Sequence, residues 1–147
     1  MPLPRTALYA MGEDLHVAVW PGNLRNTLDI TRFIAKEGRS YVISASGLLP
    51  IQDIPSNIPH RNLILANTPA PPANGGSCIA APDGNWVAEP VVDQEKLIVA
   101  TLDHAQVRAE RQNFDPVGHY ARPDVTRLVV DRTRQSILTL AGDAEAD

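Results

Sequence analysis

Three stretches decide the fold: His16-Val-Ala-Val-Trp20, the segment from Asn26 to Glu37, and Tyr41-Val-Ile-Ser-Ala-Ser46. The first is an apolar run rich in β-branched valine, ended by Pro21-Gly22, and reads as a strand buried on both faces. The second sets Ile30, Phe33, Ile34 and Glu37 at helical spacing, so three apolar groups share one face. Gly38 closes it as a C-cap. The third is another short apolar strand. Strand, helix and strand in that order predict a βαβ unit with parallel strands and a right-handed crossover. The class is therefore α/β.

Toward the N-terminus, Arg5 to Met11 reads as a short helix, with Pro4 in its first turn and Gly12 at its stop. Toward the C-terminus, residues 47–75 carry Pro50, Pro55, Pro59, Pro69, Pro71 and Pro72 and read as a long loop with a short helix at His60 to Ala66. Gly75 to Ala81 and Trp86 to Pro90 flank Pro82-Asp-Gly-Asn85, a hairpin signal. Glu95 to Leu102 reads as a strand. Asp103 then caps a charged helix running to about Asn113, with Gln106 placed as in a capping box. Val125 to Asp131 is a last short strand, and the acidic stretch Gly142 to Asp147 reads as a disordered tail.

Composition narrows the function classes. The chain has 147 residues, 44% hydrophobic and 20% charged, with a net charge of -4. That is ordinary for one soluble domain or part of one. It has no basic block, which argues against nucleic acid as a partner. It has no apolar run of about 18 residues, which argues against a membrane span. The single cysteine, Cys78, cannot form an internal disulfide, as expected of a reduced cytoplasmic protein. No two of His16, His60, His104 and His119 have metal-ligand spacing, so neither a metal nor another cofactor is expected.

Four motifs carry a family resemblance. They are Met1-Pro-Leu-Pro-Arg5 with Leu8-Tyr-Ala-Met-Gly12; His16-Val-Ala-Val-Trp-Pro-Gly22; Gly75-Gly-Ser-Cys-Ile79 with Pro82-Asp-Gly84; and Asp115-Pro-Val-Gly-His-Tyr-Ala-Arg-Pro-Asp124. In this order they resemble the C-terminal half of a nitrilase, a member of the carbon–nitrogen hydrolase superfamily, over roughly residues 1–130. The resemblance implies part of an α-β-β-α sandwich, with 131–147 as a partly disordered tail. It also implies hydrolysis of a nitrile to a carboxylic acid and ammonia. A cysteine thiolate attacks the nitrile carbon, a glutamate acts as general base, and a lysine stabilises developing charge. In the family these three groups lie upstream of the segments matched here, the cysteine within a Cys-Trp-Glu motif. None has a counterpart in residues 1–147, so the chain alone is expected to be inactive. A nitrile becomes a substrate only when an N-terminal half complements it. The alternatives are a subunit of a split nitrilase and a non-catalytic oligomerisation or interaction module. An incomplete sheet leaves edges and apolar faces open, so self-association or binding to an N-terminal half-protein is expected.

Individual residues follow from this frame. Ligands of α/β proteins gather outside the carboxyl ends of strands. That makes Trp20, Pro21, Ser44 and Ser46 candidate substrate contacts. For Trp20, a place in the core stays open as a second reading. The resemblance places His119, Tyr120, Arg122 and Asp124 near subunit contacts. His119 also reads as a hydrogen-bonded residue fixing its loop, and Arg122 with Asp124 as an ion pair within or between subunits. Cys78 has no basic neighbour in sequence and reads as a buried small residue, not a nucleophile.

Overall fold

The computed structural model describes residues 1–68 and 71–133. Helix α1 (Pro2–Ala10) carries prolines in its first turn, where a missing N–H costs nothing, and ends beyond Met11 at Gly12 with φ +82°. Strand β1 (Leu15–Trp20) follows, then helix α2 (Leu24–Gly38) and strand β2 (Tyr41–Ser46). The two strands pair in parallel from Leu15 opposite Tyr41 to Trp20 opposite Ser46, which is the βαβ unit anticipated. Asn23 caps α2, its side chain accepting from the Arg25 N–H at 3.1 Å.

Two details of α2 differ from expectation. Its buried stripe is Thr27, Thr31, Ile34, Ala35 and Gly38, while Phe33 faces solvent. The threonines are tolerated there because Thr31 Oγ donates to the Thr27 carbonyl at 2.6 Å and lies 3.1 Å from Ser44 Oγ. Nor is Gly38 the left-handed cap: Arg39 takes that conformation, at φ 50° and ψ 46°. Its guanidinium is anchored to Glu110 at 2.9 Å and lies over the Phe114 ring at 5.3 Å. Gly38 serves a close approach instead, since a Cβ there would lie 2.5 Å from the Tyr9 ring.

The loop after β2 holds a two-residue strand β3 (Leu48–Leu49), a 3-10 turn at Ile51–Asp53 and helix α3 (Arg61–Asn67). Strands β4 (Ala73–Ala80) and β5 (Trp86–Val92) form the anticipated hairpin, with Gly84 at φ +83° in its turn. β4 runs antiparallel to β2, to β3 and to β5. Helix α4 (His104–Asn113) starts at Asp103, whose carboxylate accepts from the Ala105 N–H at 2.9 Å. The capping box is only half formed: Gln106 Oε1 accepts from the Tyr41 hydroxyl at 2.7 Å.

Ala18, Ile34, Ala35, Val42 and Ala80 form the core between the sheet and α2, with Trp20, Ile30 and Trp86 at its margin. A smaller cluster of Tyr41, Ala81 and Val107 seats α4. The other side of β1 is open. Leu15, Val17 and Val19 are 44%, 60% and 79% exposed, so β1 is buried on one face only and the two-face expectation fails. Glu95 to Leu102 and Val125 to Asp131 are not strands: neither pairs with a neighbour among the described residues. The sequence has β character, but a strand exists only against a partner. The proposed tail falls largely outside the described residues, which stop at Thr133. No helix among the described residues is long and apolar enough to cross a membrane.

Candidate functional site

The carboxyl ends of β1 and β2 are locked together. Pro21-Gly22 and Ser46-Gly47 touch so closely that a Cβ on Gly22 would sit 2.0 Å from the Gly47 carbonyl oxygen. Gly22 also needs φ +111°, so glycine is required there twice over. The Gly47 N–H donates to the Trp20 carbonyl at 3.3 Å. The Ser46 N–H donates to Ser77 Oγ at 2.9 Å, and Asn74 Oδ1 accepts from the Leu24 N–H at 2.9 Å. Strand ends, the start of α2 and β4 therefore form one rigid corner.

Trp20 and Ser46 are register partners at this corner. Trp20 Nε1 and Ser46 Oγ are buried and have no hydrogen-bond partner among the described residues. Pro21 is exposed. Ser44 is buried against α2, its hydroxyl engaged by Thr31. A cleft of about 520 Å³ opens beside the corner, lined in part by Ser46, Asp53, Ser77, Glu95 and Lys96. A smaller one of about 190 Å³ continues along Ile43, Ala45, Ile79 and Lys96. Ser44 and Ser46 border these clefts; Trp20 and Pro21 do not. Asp53, Ser77 and Lys96 went unremarked in the sequence. They come from a proline-rich loop, a strand and an unpaired segment that only the tertiary fold brings together.

Cys78 is 1% exposed, and burial pushes its thiol pKa up despite the nearby hydroxyls of Thr31 and Ser44. It is a core residue, as its sequence context indicated. Across the molecule, Arg5 and Tyr9 of α1 converge on Glu37 of α2. Arg5 Nη2 donates to Glu37 Oε2 at 2.9 Å and the Tyr9 hydroxyl to the same oxygen at 3.0 Å. Burial, reinforced by Glu37, pushes the Tyr9 phenol up to about 12. A second charged cluster ties the β1 approach to α4. Burial raises the Asp14 carboxyl, but His104 and Arg111 outweigh it and hold that carboxyl below its usual range.

In the C-terminal motif, the Asp115 carboxylate accepts from the N–H groups of Val117 and Gly118 at 3.1 and 2.9 Å. Asp115, not His119, therefore fixes the loop. His119 is exposed and stacks on Tyr120 at a centroid distance of 4.8 Å, without a hydrogen bond among the described residues. Tyr120 in turn lies 4.8 Å from Phe114. Arg122 pairs bidentately with Asp124 at 2.8 and 2.6 Å, wholly in solvent.

No protein-family model matches the chain. It is similar, however, to an aliphatic nitrilase of Sinorhizobium fredii, 39% identical over 136 residues, covering 92% of this chain and 44% of that protein. It is also 34% identical to nitrilase 2 of Arabidopsis thaliana over 99% of this chain and 44% of the plant protein. To a nitrilase of Pseudomonas syringae it is 34% identical over 87% of this chain and 41% of the relative. The chain thus spans somewhat less than half the length of these curated relatives. Its mixed sheet and flanking helices accord with the same fold, and over nearly its whole length the chain is similar to nitrilases, consistent with a C-terminal portion of one.

Proposed function

We propose that residues 1–147 supply scaffold and pocket wall to a nitrile-hydrolysing enzyme, converting a nitrile to a carboxylic acid and ammonia, without supplying its reacting groups. The observation that carries this reading is Cys78. The chemistry needs a thiolate beside a base. The chain's one thiol is 1% exposed, its pKa is pushed up by burial, and the side chains that hydrogen-bond it are the hydroxyls of Thr31 and Ser44. The thiolate, the general base and the stabilising lysine then come from the part of a nitrilase that this chain does not span. In this reading Ser46 offers its unpartnered hydroxyl to the cleft, Trp20 and Pro21 act from behind it by fixing the corner, and Ser44 acts through Thr31 by holding α2.

The test is ammonia release from aliphatic and aryl nitriles. The 147-residue chain is assayed alone and mixed with the N-terminal segment of a full-length relative. None is expected alone, and Cys78→Ala should leave any activity of the mixture unchanged. Ammonia release by the chain alone, abolished by Cys78→Ala, would overturn the proposal. A second reading, a non-catalytic interaction module, draws on the open side of β1. Complex formation without ammonia release would favour it.

A further inference from the structure

Among the chain's asparagines only Asn74 precedes a glycine. Glycine leaves its amide nitrogen unshielded by a Cβ, and asparagine is among the thermolabile residues. In such a pair the Gly75 nitrogen can attack Asn74 Cγ. The Cγ–Nδ2 bond breaks, the Gly75 amide proton leaves with Nδ2 as ammonia, and a five-membered imide closes. Water then opens the imide at one of its two carbonyls. The product is aspartate or, with an extra carbon in the backbone, isoaspartate. The fold sets this pair into the rigid corner. Asn74 lies in β4 opposite Leu48 of β3, and its carbonyl accepts from the Asp93 N–H at 2.9 Å. Its side-chain Oδ1 accepts from the N–H of Leu24, the first residue of α2, at 2.9 Å. An amide tied to α2, on a strand paired with its neighbours, is not free to fold back onto the next nitrogen.

We propose that Asn74 is a site of spontaneous deamidation, gated by release of its side chain from Leu24. The two products act on the corner in opposite ways. Aspartate keeps an acceptor at the Leu24 N–H and places a negative charge at the N-terminus of a helix, where it is stabilising. Isoaspartate lengthens the backbone of β4 just before Ser77, whose hydroxyl accepts from the Ser46 N–H at 2.9 Å. A strand lengthened there loses the register that lets one segment hold both Leu24 and Ser46. The chemistry of the modification and the packing of the corner therefore meet at one side chain.

The experiment incubates the full 147-residue chain in mildly alkaline buffer, native and in guanidinium. Tandem mass spectrometry of the digested chain locates the deamidated residue, and chromatography separates aspartyl from isoaspartyl peptides. In guanidinium, Asn74 is expected to react ahead of every other asparagine. In the native chain it should react roughly tenfold or more slowly, because a protected site reacts only when it opens. Leu24→Pro removes the donor and keeps the helix start. Proline suits the first helical position, and Asn23, at φ 180° and ψ 127°, already has the extended backbone favoured before proline. It should speed native deamidation several-fold. Leu24→Ala loses the same side chain but keeps the N–H, and should react as the parent does. Circular dichroism establishes that both variants fold; if Leu24→Pro does not, the parent's ratio of native to guanidinium rates decides. Asn74→Asp should unfold at the parent's urea midpoint or above it. Deamidation led by another asparagine would overturn the site. Equal rates for the native and unfolded parent, or for two folded Leu24 variants, would overturn the gate.

Discussion

Gly38→Ala opposes two effects that differ in sign, and the geometry decides between them. Replacing a helical glycine by alanine stabilises a helix by about 1 kcal/mol. Here the new methyl would meet the Tyr9 ring at 2.5 Å (Cε1), 2.9 Å (Cδ1) and 3.0 Å (Cζ). The ring cannot swing away easily. It is 4% exposed, and its hydroxyl is tied to Glu37, the residue next to Gly38. Overpacking costs about 1–3 kcal/mol, and three contacts on a pinned ring place this case near the upper end. The net expectation is a destabilisation of about 1–2 kcal/mol. Urea unfolding followed by tryptophan fluorescence measures it, at concentrations where the midpoint is independent of protein concentration. The decisive arm is Gly38→Ala in a Tyr9→Ala background, run in sodium sulfate to offset the lost ring. With the ring gone, the same substitution should stabilise by about 1 kcal/mol. A coupling of about 2–3 kcal/mol between the sites follows. If Gly38→Ala stabilises the parent chain as much as it stabilises the Tyr9→Ala chain, the close-approach account is wrong.

Three further outcomes follow from the same structure. The Tyr9 phenol is raised from 10.0 to about 12 in the folded chain. Its contribution is thus intact below pH 10 and lost as pH rises toward 12, by about 2 kcal/mol. Tyr9→Phe should flatten the fall in stability between those pH values, and an unchanged alkaline slope would contradict it. Cys78 should react with a disulfide reagent at neutral pH only slowly in the native chain and rapidly in guanidinium; equal rates would show the thiol is accessible. Tyr41→Phe removes a hydroxyl that donates to Gln106 Oε1 at 2.7 Å and accepts from the Asp103 N–H at 3.2 Å. It should cost about 1–3 kcal/mol and speed hydrogen exchange at the start of α4, whereas unchanged exchange there would show that the Tyr41 hydroxyl does not hold that end of the helix.

What could be read in the sequence and what could not divide along a physical line. The βαβ unit was legible because its signals are local: a valine-rich run, a helical period, a Pro-Gly stop. The β4–β5 hairpin was legible for the same reason, through Asp83-Gly84. The buried stripe of α2 was not, because Thr27 and Thr31 look polar until Ser44 and a helical carbonyl satisfy them. Arg39 in place of Gly38 at the left-handed position was hidden likewise, since its stability comes from Glu110 and Phe114, more than 70 residues away. At the candidate site, the strand-end rule found the corner but not the facing of each residue. Ser44 and Ser46 stand two residues apart on one strand, yet one hydroxyl is spent on α2 and the other is unpartnered.

The two failed strands are of a different kind. Residues 95–102 and 125–131 have the composition of strands but are not strands. What they lack among the described residues is a neighbour, which no local signal encodes. β1 shows the same deficit in milder form: paired on one edge and buried on one face, it holds Ala18 in the core while Val19 beside it is 79% exposed. Local sequence here specifies more β-structure than the described residues can close.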